Sequence, residues 1–387
     1  MLGVALAAAS CGFHPSAAPA DLSPVVARFE VMPSVATVSE HELLSVHVVA
    51  RDGQGSLLRS YAGLPALDSD WGDLRVVGAP QFHDGEADVT VALNRETNPV
   101  DGLAHVRAHD GDATGSSSGI AVKVPSWTTQ PDFTFAAAAA NVWEVAITSP
   151  TLLRVDGGYR LYYTGTASGG EQAIGLATST NGSEWTRYAG NPIFTKQGSS
   201  WEKNSILLES VVRDGDRWVM LYYGIGIGGG FGLADSSDGI SWNRVHAMPF
   251  LVSGAAGPCP DVIGPMPLLV DGPGHYRAYF QSSAGLCTAT TADGGVTWLP
   301  ADVALVSGLG TGQYSPFSVL RDGTVYRLWY FLNKPLYATS SDGVSWAPSP
   351  ANPADRTPNS VVWNEVLLRY EAVFNGLPAS FLFASRP

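Results

Sequence analysis

Glu209–Gly224 reads ESVVRDGDRWVMLYYG, and Pro150–Gly165 upstream reads PTLLRVDGGYRLYYTG. Both pass from an apolar run through an Asp-Gly or Asp-containing Gly turn into an aromatic run. Branched and aromatic residues suit a pleated strand, and Asp-Gly suits a tight hairpin that needs φ > 0. The order returns in Pro265–Phe280 and Ser315–Phe331, around Asp271-Gly272 and Asp322-Gly323, and in a worn copy from Ser360 to Phe374. A second marker keeps phase with the first. It is Ser179…Asn181-Gly182…Trp185, then Ser236…Asp238-Gly239…Trp242, Thr291…Asp293-Gly294…Trp298 and Ser340…Asp342-Gly343…Trp346. Its tryptophans stand 57, 56 and 48 residues apart. A unit of about fifty residues with four short strands is a propeller blade. The expected fold is all-β: a five-bladed β-propeller over 132–387, with Asp132–Asn141 supplying the last blade's missing strand. Closing the ring in this way removes open sheet edges.

Upstream, Leu44–Ala50, Ala87–Leu93 and Ala104–Ala108 alternate apolar and polar residues between turn signals, which predicts a β-sandwich over 23–125. The run from Phe82-His83-Asp84-Gly85 to Gly119–Val122 resembles bacterial immunoglobulin-like domains, which implies an accessory or spacer module. Pro125–Pro131 reads as the linker. Met1–Ser10 (MLGVALAAAS) before Cys11 resembles the end of a bacterial lipoprotein signal, though it lacks a basic start. That resemblance implies lipidation at Cys11, a signal and tether over 1–22, and an exported protein, either a surface or periplasmic lipoprotein or a secreted one. Cys259 and Cys287 are then left either to pair or to remain free thiols.

Composition excludes some partners. The 387 residues carry 35 Asp+Glu against 22 Lys+Arg, a net charge of -13, with no basic cluster to attract phosphate. Nucleic acid is therefore not expected as a partner. Membrane contact is expected only through the lipid, and the protein is expected to be a monomer. No cysteine or histidine spacing suggests zinc. No cofactor is expected, and a structural metal ion in the axial channel is left open.

The blade pattern, with Ile174–Ser179, Asn191-Pro192-Ile193-Phe194 and Phe231–Ala234, resembles the five-bladed glycoside hydrolases, the arabinanase, β-xylosidase, fructosidase and mannoside phosphorylase group. The resemblance implies a carbohydrate substrate and paired carboxylates in an axial pocket, one held protonated and one ionised. The candidates are Glu144 as base, Glu209 as acid and Asp261 as pKa modulator or substrate clamp, with the roles open to permutation. Trp143, Trp201, Gln313, Tyr314 and Trp363 are candidate sugar contacts. The sequence departs from the pattern in blade one, where Ser149 stands nearest the place of an expected Asp. The alternative is a non-catalytic surface propeller that binds glycan or a protein. Thr291–Trp298 also matches the Asp-box of sialidase-type propellers, but that turn is structural, and the arginines here sit at hairpins and second strands.

Overall fold

A computed structural model describes residues 25–39, 42–78, 80–94, 102–123, 127–138, 142–251, 258–298, 303–310, 312–323, 325–349, 354, 356–367, 369–376 and 380–386. Cys11 and the leader lie outside these. Among the described residues the only helical turn is a short 3-10 segment at Ser200–Glu202; everything else regular is strand.

Residues 28–123 form a seven-stranded and a three-stranded sheet around one core, in which Val46, Val48, Val91, Val106, Ile120 and Val122 are fully buried. The segment read as one strand around Ala104–Ala108 is two. Gly102–Ala104 belongs to the small sheet and Val106–Asp110 to the large one. The chain changes sheets at His105, whose backbone N–H and ring Nδ1 both meet the Asp70 carboxylate, at 2.7 and 2.8 Å.

The described residues from 127 onward form five four-stranded antiparallel sheets. Their innermost strands are Ala146–Val155, Ser205–Asp214, Leu268–Gly272, Ser315–Asp322 and Ser360–Asn364. Each contacts the next, and the fifth contacts the first, so the ring is closed. The ring closes by an N-terminal strand, as expected, but that strand is Thr128–Ala136, running beside Ser380–Arg386. Part of the segment read as linker is therefore strand.

Both sequence markers work at the seams between blades. In the second marker, Ser236 and Asp238 gather the backbone N–H groups of Gly239, Ile240 and Ser241. These bonds draw the Asp238 carboxyl down to about 2. The turn needs Gly239 at φ +70, and a Cβ there would stand 2.6 Å from the Tyr162 hydroxyl. That hydroxyl, from blade one, donates to the Gly239 carbonyl at 2.9 Å, and Tyr279 of blade three repeats the bond to Gly343. The first marker links blades at the same end of the strands. Asp214, Asp271 and Asp322 each accept a hydrogen bond from a tyrosine of the next blade, namely Tyr276, Tyr326 and Tyr370. Between blades one and two the place of that tyrosine is taken by Trp218, and Asp156 is exposed. Asp214→Ala removes the acceptor of both the buried Tyr276 hydroxyl and the Gly274 N–H, so unfolding free energy should fall by about 1–3 kcal/mol. Asp156→Ala should change it by less than about 0.5 kcal/mol. Urea midpoints of the two variants measure the contrast.

Candidate functional site: the axial cavity

The innermost strands carry bulges where they approach the axis. In blade two the register slips between Leu208 and Ser210, in blade four between Pro316 and Ser318, and in blade one between Thr148 and Thr151. A bulge leaves a residue outside the ladder and re-aims its side chain. The residues left over are Glu209, Phe317 and the pair Ser149-Pro150, and all of them line one cavity of about 540 Å³. Ser149 holds φ +51, a strained conformation for a residue that precedes proline. A second cavity of about 240 Å³ continues along the inner strands, and Glu209, Phe317 and Asn359 border both.

Glu209 is the sole carboxyl among the described residues that line the larger cavity. Its Oε2 accepts the Met266 N–H at 2.9 Å. Burial pushes its carboxyl up to about 8, against the pull of that one N–H. At neutral pH it is therefore an acid that both donates and accepts hydrogen bonds. The facing loop approaches closely because position 264 is glycine: a Cβ there would lie 2.9 Å from both carboxyl oxygens.

Three of the other sequence candidates, Asp261, Cys259 and Cys287, hold that loop. Asp261 does not line the cavity. It accepts hydrogen bonds from the Ser282 hydroxyl at 2.6 Å and from the Ser283 N–H and hydroxyl at 2.8 Å, which hold its carboxyl below the ordinary range. Cys259 and Cys287 are bonded, with Cα atoms 6.4 Å apart, and the Ile263 backbone pairs with Gln281 in both directions. Together these contacts pin residues 259–266 against the hairpin of blade three.

Glu144, the candidate base, does not line the cavity. It is fully buried outside the cavity lining, accepts from the Tyr163 hydroxyl at 2.7 Å and pairs with Arg187. Trp143 stacks on Tyr163, filling the space left open by Gly165 and Gly175. Blade two repeats this construction. Glu202 pairs with Arg244 at 2.9 Å, and Trp201 stacks on Tyr222 over Gly224 and Gly232. The guanidiniums of Arg187 and Arg244 lie over Phe135 and Phe194, each at 4.2 Å. Trp143 and Trp201 are thus packing residues of a duplicated buried ion-pair module. The Trp-Glu pairs stand 58 residues apart, one blade period, and that recurrence was the available signal.

The remaining expected sugar contacts are also elsewhere. Tyr314 is 3% exposed, packs edge-on to Tyr330 and donates to the Leu309 carbonyl. Gln313 is exposed beside it, outside the cavity lining. Trp363 packs against Tyr370 and lies under the Arg75 guanidinium of the N-terminal sheets, 5.5 Å from the ring centroid. Among the side chains that do line the cavity, and that the sequence did not single out as site residues, are Tyr223, Phe317, Asn359 and Asn375. Among the described residues no group of three His, Cys, Asp or Glu side chains is placed to hold a metal ion.

No family model matches this chain, and no curated protein does. Solved structures do. One is from the GH130 family of mannoside phosphorylases, which contains glycoside hydrolases that target β-1,2 mannosidic linkages in Candida mannan. It is 13% identical with a TM-score of 0.50, over 67% of this chain and 93% of that one. A thermostable family-43 glycoside hydrolase is 15% identical with a TM-score of 0.49, over 66% and 91%. At such identities the likeness is one of fold.

Two measurements follow from this geometry. Removing either buried carboxylate leaves an arginine unpaired, so Glu144→Ala and Glu202→Ala should each cost about 3–5 kcal/mol in denaturant unfolding. A Glu144 that served only as a base would leave stability unchanged. Glu209 takes up its proton more readily in the folded protein than in the unfolded chain. Its contribution to stability is therefore complete below about pH 4.5, falls as pH rises towards about 8, and is flat beyond. Glu209→Gln should remove this decline, on the order of a few kcal/mol, from the stability–pH curve.

Proposed function

We propose that the chain is a carbohydrate-binding propeller, with the sugar held in the axial cavity against a protonated Glu209. The observation that carries this reading is one desolvated carboxyl at the point where the inner strands converge. A neutral carboxylic acid, two amides (Asn359 and Asn375) and the Tyr223 phenol suit sugar hydroxyls. The propeller fold, shared with glycoside hydrolases, supports the choice of ligand class.

Hydrolysis by paired carboxylates needs two such groups about 5–9.5 Å apart. Among the described residues the cavity presents one, while Glu144 and Asp261 are committed to Arg187 and to the Ser282-Ser283 turn. Binding without turnover is therefore the first reading. The second is glycoside cleavage with Glu209 as the general acid, favoured by a carboxyl that keeps its proton at neutral pH. In either reading the N-terminal sheets act as a spacer on an exported protein.

Calorimetry against neutral mono- and oligosaccharides, run beside release of nitrophenol from aryl glycosides, separates the two. The binding reading expects saturable sugar binding and no turnover. Because glutamine keeps a carbonyl for the Met266 N–H, Glu209→Gln should fold and bind within about fivefold of the parent. It should also lose the drop in affinity that the parent shows above about pH 8, where Glu209 gives up the proton it donates. Turnover by the parent that falls about a hundredfold or more in Glu209→Gln would establish cleavage instead.

A further inference from the structure

Ring order divides the larger cavity into two unlike halves. Blades three and four are neighbours and contribute Val262, Ile263, Pro265 and Phe317, all apolar. Blades five and one are neighbours on the other side and contribute Asn359, Asn375 and Ser149, with Pro150 as their one apolar side chain. Blade two adds Glu209 and Tyr223, with Leu207 and Leu208 beside them. Asn359 and Asn375 are themselves linked, the Asn375 N–H donating to the Asn359 side-chain oxygen at 2.8 Å. No Lys, Arg or His is among the described residues that line the cavity.

This asymmetry selects a ligand. A bare monosaccharide presents hydroxyls around most of its rim, and those facing Val262, Pro265 and Phe317 would lose water without gaining partners. An anionic sugar would meet a carboxyl and no cation. A cavity of about 540 Å³ lies in the range that holds a drug-sized ligand rather than one ring alone. We propose that the axial cavity takes a neutral glycoside with an apolar aglycone, its hydroxylated edge on blades five, one and two and its aglycone on blades three and four. The proposal rests on the carbohydrate reading above and deepens it by naming the substrate class.

Calorimetry on the whole chain at pH 6.5 tests it, using the methyl and phenyl glycosides of neutral hexoses and pentoses, with glucuronate and galacturonate as charged counterparts. In whichever sugar series binds, the phenyl glycoside should bind about tenfold or more tighter than the methyl glycoside, and the uronate about tenfold or more weaker than its neutral parent. Ile263 stands at the rim, 42% exposed, so Ile263→Asn should fold and bring the phenyl-to-methyl ratio below about threefold. Asn375→Lys, also at an exposed position, should raise uronate affinity about tenfold by supplying the missing cation. Equal affinity for phenyl and methyl glycosides, or uronates bound as tightly as neutral sugars, would overturn the proposal and leave a carbohydrate site standing. Failure of every compound in the panel would remove the carbohydrate reading itself.

Discussion

A ring of twisted sheets has to satisfy the backbone of its innermost strands where neighbouring blades crowd together, with little room for water. Here the N–H groups on those strands are met by side chains of the preceding blade. Leu152 donates to the Ser360 hydroxyl at 3.1 Å, Leu208 to that of Thr164 at 2.9 Å, and Val361 to that of Ser318 at 3.1 Å. A buried donor left unpaired would cost more than most of these bonds contribute. These short hydroxyl bridges fix the radius at which the strands stop. The axial space is what remains inside that radius.

Glu209 belongs to this set. Between blades two and three its bond to Met266 is one such bridge from side chain to backbone, a carboxyl in the role that serine or threonine plays at three other seams. Seam and site are thus one residue. The longer side chain, lifted out of the ladder by the bulge, reaches across the junction and still borders the channel. Gly264 and the tethered loop 259–266 accommodate it. The same arrangement accounts for the raised pKa, since one N–H is little compensation for the water that a carboxylate loses.

The architecture was legible because its signals are local and recur: the Asp-Gly hairpins, the in-phase tryptophans and the need for a closing strand. The desolvation of Glu209 was legible too, from its apolar neighbours Leu207, Leu208, Val211 and Val212. What misled was the Trp143-Glu144 pair, which looks catalytic when taken alone and structural once Trp201-Glu202 is set beside it. Their arginine partners lie more than forty residues away in sequence, on the outermost strands, so the pairing depends on sheet order rather than on neighbouring residues. Phe317, Asn359 and Asn375 reach the cavity through bulges and blade order. A single strand read alone does not carry that information.

The closing strand has a mechanical consequence. Thr128 lies opposite Ser385 and Ala136 opposite Ser380, so the chain enters and leaves blade five at the same corner. A pull between the N-terminal sheets and the C-terminus would load that pair from one end. Its hydrogen bonds would break one after another, like a zipper, rather than share the force along their length. The closed ring is therefore weak along one direction of force, and blade five would be the first to yield.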